Sequence, residues 1–249
     1  MGLQTAGPIQ IVPLHEPEAA RVAAPPKAAK LTYRGGPLLS AVEVFNVFWG
    51  AAWTQQAQLK SDLDGFFDYV LTSPLMDQLA EYSVPGTPIG QGRRTGSIIV
   101  SPPDPAASVT DVDVQRMLQD QIATNAAFPK AGPNTLYFVY LPSGVSVSLG
   151  GSSSCQSFCG YHDAIGGKVF YSVMPAPDCS GCLGGVSAFE ALTSTSSHEL
   201  CEAVTDPVPG QGWYDDSNGE IGDICAWQTR KLGGFNVQLE WSNRAGACQ

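Results

Sequence analysis

The sequence predicts a single α/β domain in which helices flank a mixed central sheet. Three observations predict this fold class. Strand-like apolar segments alternate along the chain with segments of helical periodicity. The apolar run at 134–142 is continuous, as expected of a central strand that is covered on both faces. The chain has 249 residues, 43% of them hydrophobic, which is enough for one substantial core.

The predicted elements can be justified in chain order from apolar spacing and from capping residues. In the segment 54–73 the apolar residues recur at helical spacing, and Pro74 suits the first turn of a second, shorter helix. Residues 143–166 are rich in Gly, Ser and Cys and are expected to form a loop. The full set is a strand at 41–50, a helix at 54–73, a short helix from Pro74 to Tyr82, a strand at 96–103, a helix at 110–128 capped by Thr110 or Asp111, a central strand at 134–142, a strand at 167–175, a helix that ends near Thr205 and a strand at 235–241.

Residues 1–36 are rich in Pro and Ala, and we expect an extended N-terminal arm that precedes a domain at 37–249. The N-terminus lacks the basic start and the long apolar run of a signal peptide, so an exported form is expected to have lost its signal. No apolar run approaches the length of a membrane span.

The charge balance excludes one class of function. The formal net charge is −10, with 13 Lys and Arg against 23 Asp and Glu. Phosphate binding needs clustered cations, so we expect no nucleic-acid partner. We expect no membrane partner either, because no apolar run is long enough to span a bilayer.

Seven cysteines occur, and two close pairs lie in the segments "CQSFC" and "CSGC". Such pairs between Gly, Ser and Pro favour disulfides formed in an oxidising compartment. Zinc binding by the two pairs is the alternative.

The stretch "SSHELCEAVTDP" at 196–207 carries the strongest functional pattern. In a helix, His198 and Glu202 share one face, and Glu199 lies about 100° round from His198. Leu200 and Val204 fall on the opposite side, where they can pack into the core. Two outward ligands with an adjacent carboxylate resemble the metal helix of HExxH proteases, in which the Glu after the first His is the general base. The alternative to a metal site is an ordinary pair of charged side chains on an exposed helix face.

A catalytic zinc site needs a third protein ligand, and the downstream loop "WYDDSNGEIGDIC" is rich in acids. Asp223 is the preferred third ligand because it lies in a short, otherwise apolar run. Asp206 and Glu220 are the reserve candidates. The run "DDSNGE" could instead hold Ca²⁺, although it lacks the spacing of a twelve-residue calcium loop and a plain turn is the simpler interpretation.

The segments "YRGGPLLSAVEVFNVFWG", "SSCQSFCGYHDAIGGKVFYSVMP", "CSGC" and "EIGDIC" resemble the plant EXORDIUM family of phosphate-induced proteins, over nearly the whole chain from Tyr33 to Cys248. The chain looks like a bacterial secreted relative with an HExxE helix. The resemblance implies an extracellular location. It also implies an unpaired Cys201 and the disulfides Cys155–Cys159, Cys179–Cys182 and Cys225–Cys248. The expected activity rests instead on the HExxE helix and the acidic loop.

Together these patterns predict a secreted zinc-dependent endopeptidase with a zincin-like active-site helix and a protein or peptide substrate. His198, Glu202 and Asp223 would hold the zinc, and Glu199 would act as general base. His162 or Tyr161 would stabilise the oxyanion. His162 could instead be a fourth metal ligand, or it could have a structural role, held by backbone hydrogen bonds in a disulfide-tied loop.

Two other functions stay open at this point. One is a non-catalytic extracellular protein that binds cell-wall carbohydrate through Trp213, Tyr214 and Trp227. The other is a metal, such as Ca²⁺, that only stabilises the loop.

Overall fold

The structure is a computed structural model that describes residues 11–15 and 29–249. The remainder of the expected arm, 1–10 and 16–28, lies outside the described residues. The strands are β1 Ile11–Pro13, β2 Thr32–Tyr33, β3 Glu43–Trp49, β4 Arg93–Val100, β5 Ser108–Thr110, β6 Thr135–Tyr140, β7 Ser146–Leu149, β8 Ser152–Ser153, β9 Phe158–Ile165, β10 Val169–Met174, β11 Trp213–Tyr214, β12 Thr229–Leu232, β13 Phe235–Gln238, β14 Trp241–Ser242 and β15 Ala247–Cys248. The helices are α1 Ala57–Val70, α2 Pro74–Leu79, α3 Asp111–Thr124, α4 Ser180–Leu183 and α5 Ala188–Thr205, with short 3-10 turns at Ala51–Gln55, Ala80–Tyr82 and Asp223–Cys225.

A six-stranded mixed sheet forms the centre of the domain, in the order β1-β9-β10-β6-β3-β4. Strands β10, β6, β3 and β4 run parallel to one another, β9 pairs antiparallel with β10, and β1 pairs antiparallel with β9 at the edge. Every residue of β6 is buried, which confirms its prediction as the central strand. The α/β class and the mixed sheet flanked by helices are therefore confirmed.

Helices cover both faces of this sheet and form two hydrophobic cores. One core lies under α1, α2 and α5 and includes Phe48, Phe67 and Phe138. The other lies under α3 and includes Val47, Val139 and Val173. Because neighbouring residues of a strand point to opposite faces, each strand contributes alternately to the two cores. The position of α5 on the first face determines where its polar side chains lie.

The predicted helix at 110–128 is present as α3, and Thr110 is its N-cap. The Thr110 hydroxyl accepts from the Asp113 backbone N–H at 3.3 Å, and the Asp113 carboxylate accepts from the Thr110 N–H at 2.9 Å. This reciprocal pair satisfies two backbone donors that the first turn of a helix leaves free.

The prediction of a loop at 143–166 is wrong. The segment contains β7, β8 and the eight-residue strand β9. The sequence predicted a loop because many residues of this segment are small and polar. In the structure β9 hydrogen-bonds to β1 on one side and to β10 on the other. Pairing on both edges thus outweighs the low strand propensity of Gly and Asp.

The described parts of the N-terminal arm join the folded domain. Ile11–Pro13 forms the edge strand next to β9, and Thr32–Tyr33 pairs with β11. The indole N–H of Trp227 donates to the Pro13 carbonyl at 2.9 Å.

Three disulfides are present, and two of the three pairings expected from the family resemblance are wrong. Cys155 pairs with Cys179 and Cys159 with Cys182, whereas the Cys225–Cys248 pairing is confirmed. The two short Cys-containing segments lie side by side because α4 packs on β9, so each cysteine faces one in the other segment rather than its neighbour in sequence. Cys201 is unpaired and buried, as expected.

Three disulfides indicate an oxidising environment of the extracellular type. Among the described residues, none of the helices combines the length and the hydropathy needed to cross a bilayer.

Candidate metal centre

Helix α5 carries the predicted motif and is buried along most of its length. It begins at a capping box in which Ser187 and Glu190 exchange hydrogen bonds, and its residues from Ala191 to Thr205 are all buried. Several of its buried hydroxyls bond to carbonyls of the same helix. For example, Ser197 donates to the Ser194 carbonyl at 2.7 Å, and the Thr205 hydroxyl donates to the Cys201 carbonyl at 2.8 Å. The Ser196 hydroxyl bonds to that of Tyr140 on β6 at 2.8 Å. Small side chains with internal hydrogen bonds let a polar helix lie inside the protein.

A glycine on β9 lets α5 lie directly on the sheet. A Cβ at Gly160 would lie 2.7 Å from the Thr195 methyl and 3.4 Å from Glu199 Oε1. Any side chain at Gly160 would therefore push α5 away from β9. Close packing at this point brings the last two turns of α5 against the strand that carries His162.

His198, Glu202 and Asp223 come together, as the sequence predicts for a metal site. One potential ligand atom from each lies within 4.8 Å of the other two. His198 Nε2 is 2.9 Å from Glu202 Oε1, yet the two atoms are not aligned for a hydrogen bond. Two ligand atoms that are close but not directed at each other are arranged as they would be around a shared cation. Tetrahedral zinc, with ligand bonds of about 2.0–2.2 Å, needs such atoms about 3.4 Å apart.

The third member of this group is positioned by the loop that follows β11. The backbone N–H of Asp223 donates to Glu202 Oε1 at 3.1 Å, and Asp223 Oδ2 accepts from the Glu220 N–H at 2.9 Å. Cys225, two residues further on, is tied to Cys248 by a disulfide. A Cβ at Gly222 would lie 2.8 Å from His198 Nδ1, so the loop backbone packs directly on the histidine ring.

A second group forms around His162 on β9. Its Nδ1 is 3.0 Å from Glu199 Oε2 and 3.5 Å from Glu202 Oε2. Its Nε2 is 3.1 Å from the Asp206 carbonyl oxygen and 3.6 Å from Glu220 Oε1. Ligand atoms of His162, Glu199 and Glu202 lie within 4.8 Å of one another, so Glu202 is shared by both groups.

The reserve ligand Asp206 has a different task. It caps the C-terminus of α5, and its carboxylate accepts backbone N–H groups of Gly210 at 2.7 Å and Gln211 at 3.0 Å. The other reserve ligand, Glu220, is fully buried. It faces Nε2 of His162, whereas Glu199 and Glu202 face Nδ1.

The structure does not bring Tyr161 to this centre. Neighbouring residues of a strand point to opposite faces, so Tyr161 lies in the core under α3 while His162 faces α5. The Tyr161 hydroxyl donates to Asp111 Oδ1 at 2.8 Å, beside the hydroxyl of Tyr171 at 2.7 Å.

The run 215–220, for which calcium binding was the alternative to a plain turn, is largely engaged in hydrogen bonds to the backbone. The Asp215 carboxylate accepts from the backbone N–H groups of Ser217 at 2.8 Å, Asn218 at 3.0 Å and Lys30 at 2.7 Å. Asp216 is paired with Arg34 at the surface.

Titratable groups in the centre strongly perturb one another. Burial alone would lower the pKa of His198 and His162, but the surrounding carboxylates outweigh it and raise both pKa values well above their usual range. Burial would raise the pKa of Glu202, but the two histidines outweigh it and lower that pKa. Burial raises the pKa of Glu220 and of Asp223 well above the ordinary range. Opposed pKa shifts within one buried cluster occur frequently at functional sites.

Sequence reasoning missed Glu240, which belongs to the same buried neighbourhood. It is fully buried, burial raises its pKa well above the usual value, and the charges of His198, Glu202 and Asp223 act on it. Within the described part of the chain its carboxylate oxygens accept no well-aligned hydrogen bond, although the charge of His198 and the thiol of Cys201 partly offset the rise in pKa. The only signal in the sequence is one carboxylate in the apolar segment "FNVQLEW".

The combined charge of the side chains around His198 and His162 suits a bound cation. Six carboxyl groups and two imidazoles share this neighbourhood, and all except the half-buried Asp223 are buried: Glu199, Glu202, Asp206, Glu220, Asp223, Glu240, His162 and His198. Even two protonated histidines leave an excess of negative charge if the carboxyls are ionised. An uncompensated buried carboxylate costs several kcal/mol. Bound cations, protonated carboxyls, or both must supply the compensation. The C-terminal end of α5 also favours positive charge.

Comparison with known proteins adds no assignment. No protein-family model matches the chain, and no curated protein matches its sequence.

Proposed function

We propose that this protein is a secreted zinc-dependent hydrolase that cleaves peptide bonds. The observation that carries the proposal is the convergence of His198, Glu202 and Asp223 within 4.8 Å, with Glu199 on the next position of the same helix. One imidazole and two carboxylates suit Zn²⁺, which takes three protein ligands in catalytic sites. Zinc held there would supply Lewis acidity to a carbonyl or a water.

Glu199 is the proposed general base. Its Oε2 is held by His162 at 3.0 Å, while its Oε1 has no hydrogen-bond partner among residues 11–15 and 29–249. An anchored carboxylate with one free oxygen can take a proton from water and return it to the leaving nitrogen. Burial raises the pKa of Glu199, which brings it closer to the range that suits a base at neutral pH.

His162 is then a positioning residue for Glu199. Because Nε2 lies 3.1 Å from the Asp206 carbonyl, the ring is fixed on both sides. Tyr161 has no part in this proposal because it lies on the other face of the sheet.

Substrate has to approach from the side of Asp223. This residue is half-buried, whereas Glu199, Glu202 and both histidines are buried. The segment 219–225 packs over the donors, so productive binding requires this segment to move. Lids that close over catalytic groups commonly move in this way.

Complete burial of His198 and Glu202 favours a second candidate. In this candidate the metal ion serves only to hold segment 219–225 against α5, and no substrate reaches it. Zinc would then raise the stability of the fold, as a ligand does when it binds the folded state alone.

The test is Glu199→Gln, assayed on casein and on a peptide library. The variant should retain the zinc held by His198, Glu202 and Asp223 and lose about 10²–10⁴-fold in turnover, the usual contribution of a general base. The control is Glu43→Gln, which removes a carboxylate paired with Arg93 at the surface.

Undiminished turnover in Glu199→Gln would reject Glu199 as the base. A wild-type protein with stoichiometric zinc, a chelator-sensitive melting temperature and no hydrolysis of any library peptide would support the structural metal instead.

The disulfides support secretion as part of this proposal, and the resemblance to the EXORDIUM family stays a prediction. The carbohydrate-binding alternative has less support from the structure. The indole N–H groups of Trp213 and Trp227 donate to backbone carbonyls of Tyr82 and Pro13, so both rings serve packing between segments.

A further inference from the structure

The geometry points to a second divalent-cation site, formed by His162 Nδ1, Glu199 Oε2 and Glu202 Oε2. Zinc bound there would occupy the Glu199 carboxylate and so oppose its role as general base. This second site rests on the proposed metal centre, because Glu202 would bridge the two cations. Its existence does not depend on hydrolytic activity.

The tautomer of His162 supplies the first argument. A carbonyl oxygen can only accept, so the 3.1 Å contact between Nε2 and the Asp206 carbonyl requires a proton on Nε2. In the neutral ring Nδ1 then carries a lone pair, and it faces carboxylate oxygens of Glu199 and Glu202. Three lone pairs that face one another need a proton or a cation between them. Metal-binding histidines characteristically donate their other N–H to a backbone carbonyl, as His162 does.

Unpartnered oxygens supply the second argument. Glu202 is fully buried, and its Oε2 has no hydrogen-bond partner within the described ranges, although its Oε1 accepts from the Asp223 N–H. Its two oxygens are thus divided between the two groups, with Oε1 toward His198 and Oε2 toward His162. A carboxylate arranged in this way is suited to bridge two metal ions.

Charge supplies the third argument. When the buried carboxyls of this cluster are ionised, one divalent cation at His198 still leaves an excess of negative charge among side chains that are almost all buried. Glu220 Oε1 lies 3.6 Å from His162 Nε2, so this carboxyl adds to the negative potential around the ring when it is ionised. A second cation reduces this excess more effectively than a single proton on His162.

Occupation of the second site has a functional consequence. Glu199 Oε2 would bind the cation, so the carboxylate would be a weaker base for water. Hydrolysis should therefore rise as the first zinc binds and fall as the second binds. The second ion should bind more weakly, because it enters beside a cation that already shares Glu202.

The experiment is a zinc titration of the full chain, with bound metal measured by calorimetry and by elemental analysis after gel filtration. The variant is His162→Gln, which removes the imidazole ligand. His15→Gln is the matched control, because His15 contacts Trp227 away from the cluster. We expect two binding events for the wild type and for His15→Gln, and only the tighter event for His162→Gln. Zinc inhibition of hydrolysis should disappear together with the weaker event.

Glu199→Gln keeps the proposal testable if His162→Gln does not fold. Its amide can still accept from His162 but is a poor zinc ligand, so this variant should also lose only the weaker event. Asp223→Asn should weaken the tighter event instead. A single binding event in the wild type that is unchanged in both His162→Gln and Glu199→Gln would overturn the second site and leave the proposed hydrolase intact. A wild type that binds no zinc would overturn both.

Discussion

Gly222→Ala gives a direct test of how tightly the loop backbone is packed on the metal donors. Gly222 has φ −79° and ψ −38°, a conformation that alanine adopts freely, so the substitution changes occupied space and not backbone freedom. The new Cβ would lie 2.8 Å from His198 Nδ1 and 2.9 Å from Glu202 Oε1. Ordinary contacts begin near 3.4 Å, so one or both donors must move by about 0.5 Å.

A movement of about 0.5 Å exceeds the tolerance of about 0.2 Å in metal–ligand distances. We therefore expect zinc affinity to fall about 10–100-fold, which corresponds to about 1.4–2.7 kcal/mol. The assay is competition with a chromophoric zinc chelator, with thermal melts to show that the fold is intact. The control is Gly90→Ala, where the new Cβ has its nearest neighbour, the Ser40 carbonyl oxygen, at 3.8 Å. Equal zinc affinity in the two folded variants would refute the placement of Gly222 against His198 and Glu202.

Two further predictions concern the disulfide next to the loop that carries Asp223 and the ion pair of Asp64 on α1. Replacing Cys225 and Cys248 by serine opens a disulfide that spans 23 positions. The loss should destabilise the fold by about 3 kcal/mol, because the unfolded chain gains conformational entropy. It should also weaken zinc binding, because Cys225 ends the turn that begins at Asp223. Denaturant melts and zinc competition measure the two effects, and unchanged values would contradict the role of this disulfide. Partial burial alone would raise the pKa of Asp64, but hydrogen bonds from Lys60 and neighbouring polar groups outweigh it and lower that pKa. A lowered pKa stabilises the folded state above the unfolded-state value of about 3.9 and ceases to do so as pH falls through the folded value. The stability difference between wild type and Asp64→Asn should accordingly be constant above about pH 5 and shrink in acid, and a difference that grows in acid would contradict this interpretation.

Local pattern predicted most of the fold because the signals lie within single elements. The apolar run of β6 and the helical spacing of α1 need no distant partner to be recognised. Strand β9 was missed because its strand character comes from β1 and β10, and β1 lies about 150 positions earlier in the chain. Non-local pairing of this kind leaves little trace in composition.

In the candidate site, too, the residues that could be predicted are those whose relation depends on local spacing. His198 and Glu202 are one helical turn apart, so their spacing alone brings them to one face. The choice of Asp223 among several nearby acids depended on its short apolar context, and the structure brings it to these two residues.

Tertiary packing decides the rest of the site, and spacing carries no information about it. The orientation of Tyr161 followed from strand alternation in an element that was expected to be a loop. Glu240 enters the cluster through the packing of the C-terminal segment. The disulfide pairs were misassigned because neighbours in sequence were favoured over neighbours in space.

The most direct test of the central claim is anomalous diffraction at the zinc edge from crystals of protein purified without chelator. We predict a peak within about 2.0–2.2 Å of His198, Glu202 and Asp223. A zinc-free protein in which these three side chains point away from one another would contradict the account.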